Sequence, residues 1–187
     1  MAAISRMLGT PPEALRRTFR DRNDPHLSLR RAIAAASLLG IGSMAITSLL
    51  QLGLVRHLPD PPLGNFHSDK VNTSDEAYSY GGPDSPVTIL AHAANLVVAA
   101  TGDADRARRQ PWLALLAALM AGAQSAIAAN YLFYQMPRVD KAWCPYCILD
   151  ALTHFATLVL ALPEAKAALA KTSSAKGAVV SPRAQSN

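Results

Sequence analysis

A chain of 187 residues has room for one domain; half of its residues are hydrophobic but only 6% are aromatic, so Ala, Leu and Val supply most of the apolar surface. The formal net charge of +5 comes from Lys and Arg that flank apolar runs without interleaved aromatics, which argues against nucleic-acid binding. Uncharged runs longer than a water-soluble core needs point instead to a lipid bilayer as the solvent.

In chain order, residues 1–29 mix Arg, Asp and Pro with no sustained apolar face, which predicts a mobile or surface-lying basic arm that ends with Arg30 and Arg31 at the lipid headgroups. Residues 32–55 carry no ionisable side chain; as a helix they rise ~36 Å, enough to cross a hydrocarbon core of ~30 Å with some tilt. The run is too long for the apolar region of a cleaved secretory signal, so it is expected to stay as an anchor. Residues 56–85 form the longest connection, with breaks at Pro59-Asp60-Pro61-Pro62 and Gly81-Gly82-Pro83 around a more helix-compatible stretch, 71–80. The run 86–101 gives only ~24 Å of helix and contains His92 and Asn95. Residues 111–136 would span ~39 Å and residues 142–162 ~31 Å, the latter interrupted by Asp150 and His154 and closed by Pro163. Residues 164–187 are expected to form a cytoplasmic tail that, from Ala165, begins as a continuation of the last helix and fades into little structure.

Charge decides whether the short run crosses. With four spans, the N-terminal segment, the 103–109 loop and the tail share the cytoplasmic side and carry 7, 3 and 4 of the 18 Lys and Arg. Three spans would put the Arg106-Arg108-Arg109 cluster opposite the N-terminal arginines. The fold class expected is therefore an all-α integral membrane protein, a four-transmembrane-helix bundle with spans 32–55, 86–101, 111–136 and 142–162, and with both termini cytoplasmic. Its membrane domain would run over residues 30–163. Trp112, Tyr134 and Trp143 fall where interfacial aromatics belong.

The protein has two cysteines, Cys144 and Cys147, spaced as a dithiol–disulfide centre at the start of the last predicted helix. Unpaired amides and the helix dipole in a first turn stabilise a thiolate, and Pro145 sits where a missing amide hydrogen matters least. Haem attachment requires His after the second cysteine, and that position holds Ile148. A zinc site lacks ligands, since His154 and His67 are the candidates to complete it, and no metal is expected. An inert structural disulfide is the remaining alternative to redox activity.

Trp143-Cys144-Pro145-Tyr146-Cys147, opening the last span, resembles the redox centre of the vitamin K epoxide reductase family. Val71-Asn72-Thr73-Ser74-Asp75-Glu76-Ala77-Tyr78-Ser79 resembles that family's outer-loop segment, in which a cysteine is followed six residues later by Ser or Thr; Ser79 fits the later position. The resemblance runs from about Gly64 to Leu162. It implies a bundle around a quinone substrate, ubiquinone or menaquinone, reduced as the cysteine pair is oxidised, in a bacterial inner membrane with the pair on the extracytoplasmic side. Cys147, deeper in the helix, would face the quinone, while Cys144, nearer the surface, would exchange disulfides with a thioredoxin-like extracytoplasmic protein. The capping loop would bring Ser79 and Tyr78 over the pocket, with Ala151 also among the quinone-facing positions and Tyr146 either a quinone contact or an interfacial anchor. The departure is large: Thr73 stands where a loop cysteine is expected, so the internal shuttle pair is missing. A redox-inactive membrane subunit or assembly factor is the alternative reading.

Polar residues at membrane depth usually face a bundle interior. His92 and Asn95 share a face at i and i+3, where they can donate to a quinone carbonyl or simply bond between helices, as can Gln124 and Asn130. Asp150 and His154 follow Cys147 on one helical stripe, an arrangement suited to a proton relay or to a hydrated, paired carboxylate. A carrier or channel has no charged pathway beyond these two residues.

Overall fold

The computed structural model describes residues 11–20 and 24–179, and every regular element among them is helical. Helix α1 covers Pro12–Arg20 and α2 covers Pro25–Gln51; α3 is Ser68–Asn72, followed by a tight turn at Glu76–Tyr78. Helix α4 is Asp84–Ala100, α5 is Arg106–Arg109, α6 is Pro111–Asn130 and α7 is Pro145–Val179.

The start of α2 differs from the expected arm. Asp24 accepts from the Leu27 amide at 2.9 Å and Pro25 takes the first turn, a capped start that precedes the apolar run. Within residues 1–29, α1 and the first turn of α2 are helical, while residues 1–10 and 21–23 lie outside the described residues. Arg30 turns into the protein. It is 2% exposed and shares Glu164 with the equally buried Arg106: Arg30 Nη2 lies 2.5 Å from Glu164 Oε1, and Arg106 Nη2 lies 2.7 Å from Oε2. Both guanidiniums donate further to backbone carbonyls, Arg30 to Asp103 at 2.8 Å and Arg106 to Thr101 at 2.8 Å. A buried charge without such partners would be too costly to hold.

Helix α7 does not stop at Pro163. The proline removes one backbone donor, but Glu164 is pinned by the two arginines and Ala168 is packed with Ala107 and Ala114, so tertiary contacts carry the helix onward. At the other end of the molecule, α6 continues through Tyr131–Asp140 as a wider π-helix that contains Pro137. Widening accommodates a residue with no amide hydrogen to give to the preceding turn. Lys141, at φ 52, ends it in the left-handed region.

Three helical stretches are long and apolar enough to cross a membrane: Pro25–Gln51, Pro111–Asp140 and Pro145–Lys171. Helix α4, with 17 residues, is shorter. Helix α7 packs against both α2 and α6; α4 packs along α2 and also meets α6. Each of these four helices leaves large apolar side chains exposed, among them Leu38, Leu90, Leu119 and Val159.

Candidate functional site

Cys144 and Cys147 form a disulfide at the start of α7, where the Cys147 amide donates to Cys144 Sγ at 3.1 Å. Cys144 is fully buried, whereas Cys147 keeps 8% exposure. The residues after α2 cover it. Asn65 O accepts from the Trp143 amide at 2.9 Å and His67 N donates to Trp143 O at 2.9 Å, which fastens the loop across the residue preceding the pair. The Asp60 carboxylate takes the Ser68 amide at 2.9 Å and its hydroxyl at 2.6 Å, anchoring the start of α3. From α3, Asn72 Nδ2 lies 3.3 Å from Cys144 Sγ.

Cys147 opens onto a cavity of about 320 Å³ between α2, the loop, α4, α6 and α7. Its walls include Met44, Ser79, Ser85, Gln124, Tyr131 and, on α7, Cys147, Asp150, Ala151 and His154. The i, i+3, i+7 spacing read from the sequence does put Cys147, Asp150 and His154 on one wall. Ser79 and Ala151 join them. Tyr78 does not: its hydroxyl donates to Gln51 O at 2.9 Å, tying the loop to the end of α2. Tyr146 is likewise turned away, donating to Pro59 O at 2.9 Å.

His92 stands behind the wall. Its Nε2 is 2.8 Å from Asp150 Oδ1, while His154 Nε2 is 3.5 Å from Oδ2, and the two imidazoles stack with centroids 4.3 Å apart. Helix α4 thereby meets α7 through a His–Asp–His cluster whose outer members, Asp150 and His154, face the cavity. The ligand atoms of the three lie within 4.8 Å of one another, close enough to share a cation, although Asp150 Oδ1 is already engaged by an imidazole. Asn95 behaves differently from His92, donating to Gln124 Oε1 at 2.7 Å as an ordinary interhelical bond. Gln124 reaches the cavity and Asn95 does not.

Sequence reasoning missed Met44, Ser85 and Tyr131 among the cavity walls, and also Asn72 and Gly40. Asn72 carried no signal, since it differs from any other polar loop residue only by where the loop folds. Gly40 on α2 leaves the space that the His92 ring occupies, and a glycine in an apolar helix looks the same whether or not a ring rests on it.

Comparison with curated proteins and with solved structures finds no match to the chain. The family model described as the vitamin K epoxide reductase family matches residues 31–162, a stretch that takes in α2 from Arg31 onward, the loop, the cavity walls and the cysteine pair. On that match, the chain belongs to the vitamin K epoxide reductase family.

Proposed function

We propose that this protein is a membrane thiol:quinone oxidoreductase linked to extracytoplasmic disulfide formation. Members of the family are in general thiol–disulfide oxidoreductases that act with quinones. The observation that carries the reading is that Cys147, one half of the disulfide, lines a cavity walled by apolar helices, of a size within the ~300–1,000 Å³ range of small-molecule sites. In the forward direction the two thiols give up two electrons and two protons; the sulfur–sulfur bond forms and the quinone becomes a hydroquinone. Ser79 and Ala151 would line the quinone, and Asp150 with His154, backed by His92, would carry protons between Cys147 and a quinone oxygen.

The same reading takes α4 as a fourth span, giving a four-helix bundle with both termini cytoplasmic and the cysteine pair on the opposite side under the loop. Its 17 residues rise ~26 Å, at the short end for a crossing, and its exposed Val87, Leu90 and Val97 supply an outer apolar face like those of its neighbours. The test of the redox claim is to mix reduced, purified protein with ubiquinone or menaquinone analogues and titrate free thiols. Loss of both thiols is expected; unchanged thiols sink the claim.

Complete burial of Cys144, together with Thr73 in place of a loop cysteine, favours a second reading, a redox-inactive subunit or assembly factor. It wins if Cys144→Ser and Cys147→Ser leave cellular disulfide formation and fitness intact while deletion of the whole chain does not.

A further inference from the structure

The loop meets the redox pair through a residue other than the one at the expected cysteine position. Thr73 is exposed, and its hydroxyl turns back to Asp69 O at 2.8 Å. Asn72 is 2% exposed and touches both sulfurs, with Nδ2 3.3 Å from Cys144 Sγ and Oδ1 3.6 Å from Cys147 Sγ. The way this amide faces is determined by a third contact: Nδ2 also donates to Ser68 O at 2.8 Å, which an amide oxygen could not do. One N–H therefore serves the α3 backbone and the other is left for Cys144.

In the disulfide neither sulfur carries a charge or a proton, and a neutral sulfur is a weak acceptor. Reduction changes this, because an ionised sulfur bonds strongly to N–H donors. Cys144 Sγ has two such donors aimed at it, Asn72 Nδ2 and the Cys147 amide at 3.1 Å. Cys147 Sγ faces the amide oxygen, which can accept a thiol hydrogen and does nothing for a thiolate.

We propose that Asn72 is a working residue of the redox centre, one that holds the reduced pair as Cys144 thiolate and Cys147 thiol. This rests on the redox reading above. When the quinone is reduced, the Cys144 and Cys147 sulfurs join, two electrons pass to the quinone, and its two oxygens take the Cys147 thiol proton and the proton that Cys144 released on ionising. The loop residue thus contributes a donor in place of the electron relay that a cysteine would provide.

The test uses the reduced, full-length protein in detergent, with thiolate formation followed by ultraviolet absorbance against pH. Asn72→Asp, nearly isosteric, replaces the N–H donor with a carboxylate, and Asn72→Leu removes the amide. Each should raise the midpoint of thiolate formation by about one pH unit, a tenfold loss of thiolate at a given pH. The pair's midpoint potential against dithiothreitol buffers should fall by up to about 30 mV, the equivalent of that tenfold change. If Asn72→Leu fails to fold, Asn72→Asp decides. A second measurement needs no Asn72 variant: Cys144 in Cys147→Ser should ionise at lower pH than Cys147 in Cys144→Ser. An unchanged midpoint in folded Asn72→Asp, or the opposite order of the single cysteines, overturns the proposal. No quinone enters these measurements, so failure of quinone reduction and failure of the Asn72 assignment give different results.

Discussion

At Gly40, α2 presents bare backbone to the His92 imidazole, and a Cβ built there would overlap the ring. Gly40→Ala is therefore expected to destabilise by about 1–3 kcal/mol, the range for overpacking a filled interior, despite the better helix propensity of alanine. Gly42 supplies the control, since nothing lies within 4 Å of a Cβ added there, and Gly42→Ala should be neutral or slightly stabilising. Thermal unfolding in detergent compares the two; adding His92→Ala to Gly40→Ala should recover part of the loss, and strictly additive effects would count against the contact. Outside the membrane-spanning helices, the Asp69 carboxylate beside His57 raises the imidazole above its ordinary range, chiefly through their hydrogen bond. Its folded-state value is raised, so the pair contributes to holding the loop below the unfolded imidazole value of ~6.5, and the contribution is lost as pH rises through the folded value. An NMR titration of His57 should show the raised midpoint, and Asp69→Asn should bring it back.

Among the elements, α7 shows how a local stop signal is overridden. Proline ordinarily ends or kinks a helix, and here the residue after it is the carboxylate that two buried arginines from α2 and α5 share. Glu164→Gln would leave two guanidiniums in a nearly dry setting with no counter-charge. A loss of about 3–5 kcal/mol is expected, seen as a large drop in the detergent unfolding temperature. Glu164→Asp, which keeps the charge, should lose less. The widened end of α6 is the complementary case: Pro137 is accommodated by changing the helix pitch, and Tyr131 and Gln135 from this stretch line the cavity beside Cys147.

At the scale of the whole molecule, the distribution of exposed apolar side chains and the position of the basic residues bear on topology. Reporter fusions after residue 110 and at the C-terminus should both report the cytoplasm, and a fusion within residues 59–65 should report the opposite side. A cytoplasmic signal from the 59–65 fusion would remove the reading of the loop as an outer cap. The three long apolar runs were legible because a bilayer demands ~20 apolar residues in a row, a requirement visible without any knowledge of neighbours. The helix ends were less legible. Asp24-Pro25 opens α2 ahead of the apolar run, and Pro163 fails to end α7, because caps and buried ion pairs act on single residues that hydropathy averages away.

What the sequence determined by itself was local: the spans that recur as apolar runs, the Cys-x-x-Cys at a helix start, and the i, i+3, i+7 stripe from Cys147 to His154. Tertiary structure alone decided which polar residues meet. His92 and Asn95 share one face of α4, yet His92 joins Asp150 on α7 while Asn95 bonds Gln124 on α6. Asn72 reaches the sulfurs and its neighbour Thr73 does not. Periodicity specifies which side of a helix is apolar, but a rotation of a few tens of degrees or a loop folded one residue differently selects another partner. Those choices are made by close packing between helices far apart in the chain.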